Sequence, residues 1–119
     1  MSSRSSVTIY HNPRCSKSRQ TLKLLQDEGI EPQVIAYLKD PPDAATLRKL
    51  LKMLGLRAID LIRTKEEPYK TLGLAKKRDD DAALIKAMVQ HPILIERPIV
   101  VKGSQARLGR PPQKVGEII

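Results

Sequence analysis

The chain has no tryptophan, no phenylalanine and a single cysteine in 119 residues. One cysteine excludes an internal disulfide, so any thiol–disulfide chemistry has to borrow its second sulfur from another molecule. With only Tyr10, Tyr37 and Tyr69 as aromatics, a platform for stacking single-stranded nucleic acid is poorly supplied. The net charge of +9 therefore reads as local anion binding plus solubility rather than as a nucleic-acid groove. Long apolar runs are also missing. PILIERPIVV is broken by Glu96 and Arg97, and the initial MSSRSS has no apolar h-region, so neither a membrane span nor an export signal is expected. A cytoplasmic location is the corresponding expectation. No His, Cys, Asp or Glu cluster has metal-ligand spacing, so no metal is expected either. The length suits one domain with a modest single core.

The cysteine that is present, Cys15, lies in HNPRCSKSR, with His11, Arg14, Lys17 and Arg19 within four positions. Residues 7–10 (VTIY) read as a short buried strand, bounded by Asn12-Pro13. From Lys17 onward a helical pattern places Leu22 and Leu25 on one stripe with Leu24 adjoining, and Gly29 is a candidate stop. Cys15 is thus expected at a helix N-terminus, where unpaired backbone N–H groups favour an anion, a thiolate included. The charges on this helix run against its dipole. Cations crowd its start while Asp27 and Glu28 sit at its end, which costs roughly 0.3–1 kcal/mol per misplaced charge. Two other helices serve as internal controls: Asp40 and Asp43 open one that Lys49 and Lys52 close, and Asp79, Asp80 and Asp81 open another that His91 follows. A bound anion would reverse the sign of the local penalty, and a rule broken in one place but kept elsewhere points to function.

A lowered thiol pKa explains only part of any catalysis. Moving it from about 8.5 to about 6.5 raises the thiolate fraction at neutral pH roughly 25-fold, while nucleophilicity falls perhaps eightfold. Holding the substrate and stabilising its developing charge must supply the rest, a task for arginines and backbone donors.

Residues 33–38 (QVIAYL) read as a second strand. Asp40-Pro41-Pro42-Asp43 caps a helix carrying Leu47, Leu50, Leu51 and Leu54 and ended by Gly55. A short helix at 58–62, a turn-rich stretch through Pro68 and Gly73, and a helix at about 80–90 with Leu84, Ile85, Met88 and Val89 follow. These apolar side chains are read as core. About fifty residues of mainly helical sequence between strands two and three exceed a simple crossover and suggest a helical subdomain at about 43–91. Residues 99–101 form a third strand, 106–108 a short partner strand, and Gly109-Arg110-Pro111-Pro112 opens a final helix. The order describes a small α/β sandwich with a mixed four-stranded sheet and its nucleophile just after the first strand. That arrangement resembles the thioredoxin fold, in which the residue before a cis-proline faces the cysteine; Arg97-Pro98 holds the matching place.

HNPRCSKSRQTL, LIRTKEEPYKTLGL, HPILIERPIVV and ARLGRPP, separated and in order, resemble the glutaredoxin-linked arsenate reductase family, the ArsC-like branch of the thioredoxin superfamily, and look closest to a chromosomal HNPRCSKSR subgroup. The resemblance implies that Cys15 attacks arsenate to form a covalent adduct, that Arg63, Arg97 and Arg110 bind the oxyanion, and that glutathione as co-substrate and glutaredoxin as partner resolve the adduct with release of arsenite. Planar guanidinium forks suit a tetrahedral oxyanion better than lysines do. His11 would tune or protonate the site, since a nearby imidazolium stabilises a thiolate. Asn12, Ser16 and Ser18 could supply donors or serve turn and capping chemistry, and Arg14, Lys17 and Arg19 add field.

Where family members with arsenate activity commonly carry glycine and threonine after the cysteine, this chain has Ser16 and Lys17. Two alternatives stay open. A glutathione-dependent monothiol disulfide reductase would use Cys15 with Ser18 in place of a second thiol, and an Spx-like regulator would bind RNA polymerase without catalysis. A tyrosine-phosphatase-like loop is a weaker reading still, because its arginine, six positions after the cysteine, is Thr21 here.

Overall fold

The computed structural model describes residues 7–119. The polar residues 1–6, read in the sequence as the lead-in to the first strand, lie outside the described residues. The described chain forms two compact units, one from the segments up to Asp40 and from Arg97 to Ile119, the other from Pro41–Glu96.

In the first unit, β1 (Val7–His11) runs parallel to β2 (Gln33–Ala36) and antiparallel to β3 (Ile99–Lys102), which pairs antiparallel with β4 (Gln105–Leu108). The sheet order is β2-β1-β3-β4, a mixed sheet as expected. A parallel neighbour requires a crossover, and α1 (Ser16–Asp27) supplies it. Strand β1 alternates strictly, burying Val7, Ile9 and His11, so the face that feeds the core also carries the imidazole at its far end. Val7 and Ile9 pack with Leu25, Val100, Val115 and Ile118. The buried stripe of α1 is Ser18, Thr21 and Leu25; Leu22 and Leu24 are only partly buried at its margin. Two polar side chains therefore complete a stripe that hydrophobic periodicity alone had assigned to leucines.

Helix α1 stops through Gly29, whose φ of 77° permits a reversal in which Gly29 N–H donates to the Gln26 carbonyl and Ile30 N–H to the Leu25 carbonyl. Strand β2 is two residues shorter than expected. The Ala36 carbonyl accepts from both Lys39 and Asp40 N–H at 2.9 Å, which turns the chain before Tyr37 and Leu38 can extend the ladder. The final element also differs, being a 3₁₀ helix (Pro112–Glu117). Pro111 and Pro112 have no N–H to donate, and the short bonds Lys114 N–H to Pro111 and Ile118 N–H to Val115 take the place of an α-helical ladder. Both Arg97-Pro98 and Arg110-Pro111 are cis.

The second unit is helical. Asp43 caps α2 (Ala44–Leu54) by accepting from Thr46 N–H at 2.8 Å, and that bond holds its carboxyl below the usual carboxylate range. Helix α3 spans Ala58–Leu61 and α5 spans Asp81–Gln90, with Asp80 accepting from Ala83 N–H. Leu47, Leu50, Leu51, Leu84, Ile85 and Met88 are buried, as their spacing suggested, whereas Leu54 and Val89 are only partly buried. The turn-rich stretch contains more helix than expected: α4 (Glu67–Thr71) carries Pro68 in its first turn rather than being broken by it, and a 3₁₀ turn (Leu74–Lys77) follows Gly73. No helix among the described residues is long and apolar enough to cross a membrane.

Candidate active site

Cys15 is the N-cap of α1, with extended backbone at φ −95° and ψ 123°. The turn that delivers it is closed by three local bonds. Cys15 N–H donates to the Asn12 carbonyl and Arg14 N–H to Asn12 Oδ1, both at 3.0 Å, while Arg19 reaches back to the Pro13 carbonyl at 2.8 Å. Asn12 is nearly buried and serves as the turn's hinge, and Arg19 braces the turn through its guanidinium. The side chains of Arg14, Ser16 and Lys17 are exposed.

The sulfur occupies the position from which a capping oxygen would accept N–H groups of the first turn. No capping hydrogen bond to the side chain is formed by strict geometry, yet the amides lie close enough to favour the ionised sulfur. Partial burial pushes the Cys15 thiol up. The Ser18 N–H, the Arg97 guanidinium through both a hydrogen bond and its charge, and the Lys17 N–H more than offset this, and the thiol lies below its ordinary range. Arg97 is itself 9% exposed, a cation held at the edge of the interior. Arg110 donates from Nε to the Arg97 carbonyl at 2.8 Å, and its Nη2 lies 3.5 Å from Cys15 Sγ. Two guanidinium groups and two backbone amides thus converge on one sulfur.

His11 enters differently from the imidazolium expected. Burial, then the charge of Arg19, lowers its pKa, so the ring is neutral at neutral pH. Its Nδ1 lies 2.6 Å from Ser18 Oγ, which also accepts from Asn12 N–H at 3.0 Å. Ser18 is fully buried, so its hydroxyl proton is best satisfied by Nδ1, leaving the ring proton on Nε2. His11 is thereby joined to Ser18, whose own N–H faces the sulfur, and its lowered pKa disfavours a positive charge there.

Arg63 belongs to the second unit. Its Nε donates to Glu66 at 3.1 Å and its Nη1 pairs with Glu96, while the flanking backbone is tied by Arg63 N–H to Leu94 and Glu96 N–H to Leu61. Sequence reasoning did not single out Glu66 or Glu96. Their only local signal was position, Glu66 three residues after Arg63 and Glu96 beside Arg97. Among the described residues there is no group of three or more His, Cys, Asp and Glu side chains that could hold a metal ion.

The depressed thiol pKa has a defined signature. Iodoacetamide alkylation of Cys15, followed against pH, is expected to rise with a midpoint below the free-thiol value of about 8.5. Because the folded value is the lower one, ionisation of Cys15 stabilises the fold above the unfolded thiol pKa, and this contribution is lost as pH falls through the folded value. A midpoint at or above that of a free thiol would contradict the electrostatic account.

The sequence pattern of the ArsC family matches residues 10–118. The Escherichia coli (strain K12) protein YfgD, described as uncharacterized, is 59% identical over 95% of this chain and 96% of its own length. An arsenate reductase of Haemophilus influenzae is 47% identical, covering 96% of this chain and 99% of that protein. The solved structure of the arsenate reductase from Vibrio cholerae superposes with a TM-score of 0.92 at 55% identity, over 96% of this chain and 98% of that one. With its mixed sheet, its cysteine at the first helix start and this extent of likeness, the chain belongs to the ArsC family of the thioredoxin-like superfamily.

Proposed function

We propose that this protein reduces arsenate to arsenite in the cytoplasm, with Cys15 as nucleophile and with glutathione and a glutaredoxin as electron donors. The observation that carries the reading is the convergence of the Arg97 and Arg110 guanidinium groups and two helix-start amides on Cys15. Donors that stabilise a thiolate there also suit the negative charge of an oxyanion brought to it.

In this reading the Cys15 thiolate forms an S–As bond and an arsenate oxygen leaves as water after protonation. Glutathione replaces a second oxygen on arsenic, again releasing water. A glutaredoxin thiolate then attacks the glutathione sulfur; the S–As electron pair stays on arsenic, taking it from As(V) to As(III), and a glutaredoxin–glutathione mixed disulfide forms. Hydrolysis of the remaining Cys15–As bond releases arsenite and restores the thiolate. The two electrons come from two external thiols, consistent with a chain whose one cysteine has no internal partner. Arg63 enters as a third oxyanion ligand through the family resemblance alone. In its own unit it is committed to Glu66 and Glu96, so an oxyanion would have to compete with two carboxylates for it.

Purified protein, given arsenate, glutathione and a glutaredoxin, is expected to form arsenite, and omission of either thiol donor should stop turnover. Turnover confined to glutathione mixed disulfides would replace this reading with the monothiol reductase. Absence of both activities, with RNA polymerase recovered equally by the native chain and by Cys15→Ala, would replace it with the regulator.

A further inference from the structure

Gly109 lies between β4 and the C-terminal 3₁₀ helix, and its backbone has no need of glycine, since its φ is outside the left-handed range. What it needs is the missing side chain. A Cβ at Gly109 would overlap Thr21 Oγ1, stand 2.7 Å from Pro98 Cγ and approach Thr21 Cγ2 to 3.1 Å. Neither neighbour can yield easily. Thr21 is fully buried, β-branched, and committed through Oγ1 to the Lys17 carbonyl at 2.8 Å; Pro98 is a buried ring. The Gly109 N–H also donates to the Pro98 carbonyl at 2.9 Å.

The consequence lies one residue on in each direction. Arg97 precedes Pro98, Arg110 follows Gly109, and Arg110 spans from the Arg97 carbonyl to Cys15 Sγ. Cys15 caps the same helix that carries Thr21. The Gly109–Thr21–Pro98 contact therefore sets how closely the arginine-bearing segment can approach the cysteine helix. We propose that Gly109 is a positioning residue for the anion site, and that its lack of a side chain lets Arg110 reach Cys15. This rests on Cys15 being the reactive centre of the proposed function, but not on arsenate being its substrate.

The test compares alkylation of Cys15 by iodoacetate and by iodoacetamide, reagents of similar size of which only the first is anionic. Their rate ratio reports the positive field at the sulfur and needs no arsenate. Arg110→Ala is expected to lower the ratio about fivefold, as removal of one nearby, partly solvated charge would. Gly109→Ala should lower it to a similar extent, and the double variant should fall no further, because Gly109 acts through Arg110. Adding Thr21→Ala to Gly109→Ala deletes two of the three close contacts and should restore much of the ratio, also serving where Gly109→Ala alone does not fold. An unchanged ratio in Gly109→Ala, additive losses in the double variant, or no recovery of fold or ratio with Thr21→Ala would each overturn the proposal. Failure of arsenate turnover with these ratios as expected would sink the substrate assignment and leave the positioning role standing.

Discussion

Cys15→Ser is expected to lower arsenite formation by at least about a thousandfold, because an alcohol at this position is neither ionised near neutral pH nor able to form the S–As bond. The substitution is nearly isosteric and Cys15 is only partly buried, so the fold should survive. The amides of Lys17 and Ser18 and the guanidinium groups of Arg97 and Arg110 would still face the position. Loss of chemistry with retained structure is therefore the expected pattern, checked by steady-state arsenate reduction beside circular dichroism of the same samples. Turnover near the native rate would show that Cys15 is not the nucleophile. Since the chain has no second cysteine to substitute for it, that outcome would remove the thiol mechanism altogether.

Arg97→Lys should reduce kcat/KM for arsenate about a hundredfold, the order seen when one preorganised donor is taken from a charged transition state. Lysine keeps the charge but loses the planar fork, and its more strongly hydrated ammonium is poorly suited to a buried position. Two readouts should move together. The oxyanion loses a paired contact, and the Cys15 thiol, deprived of the Arg97 hydrogen bond, should titrate at higher pH than in the native protein. A large kinetic loss with an unmoved thiol titration would mean that Arg97 binds substrate without tuning the sulfur. Native kinetics would contradict both roles.

Much of the local structure was legible because its determinants lie within a few residues of one another. Asp43 before Ala44, Gly29 after α1, and the apolar spacing of Leu47, Leu50 and Leu51 are each a short-range pattern with one favourable backbone outcome. The same holds for Cys15 at a helix start, since strand, Asn-Pro turn and helix follow in a single short stretch. Where expectation and structure part, the deciding partner is a backbone bond or a remote residue. Ala36 ends β2 because its carbonyl is taken by Lys39 and Asp40, and the last helix is 3₁₀ because adjacent prolines lack donors. The lowered pKa of His11 depends first on burial, which a charge count does not show, and only then on the charge of Arg19.

The amino-acid sequence by itself determined an α/β chain with one thiol, its position at the start of a helix, and the inverted charge pattern around it, because these depend on residue type and short-range order. Only the tertiary structure decided which cations of its own unit meet that thiol. Arg97 and Arg110 meet Cys15, while Arg63 is shared between Glu66 and Glu96. Within their own unit that meeting depends on strand order, since contacts form between segments far apart in the chain and the identity of any one residue does not say what it will face.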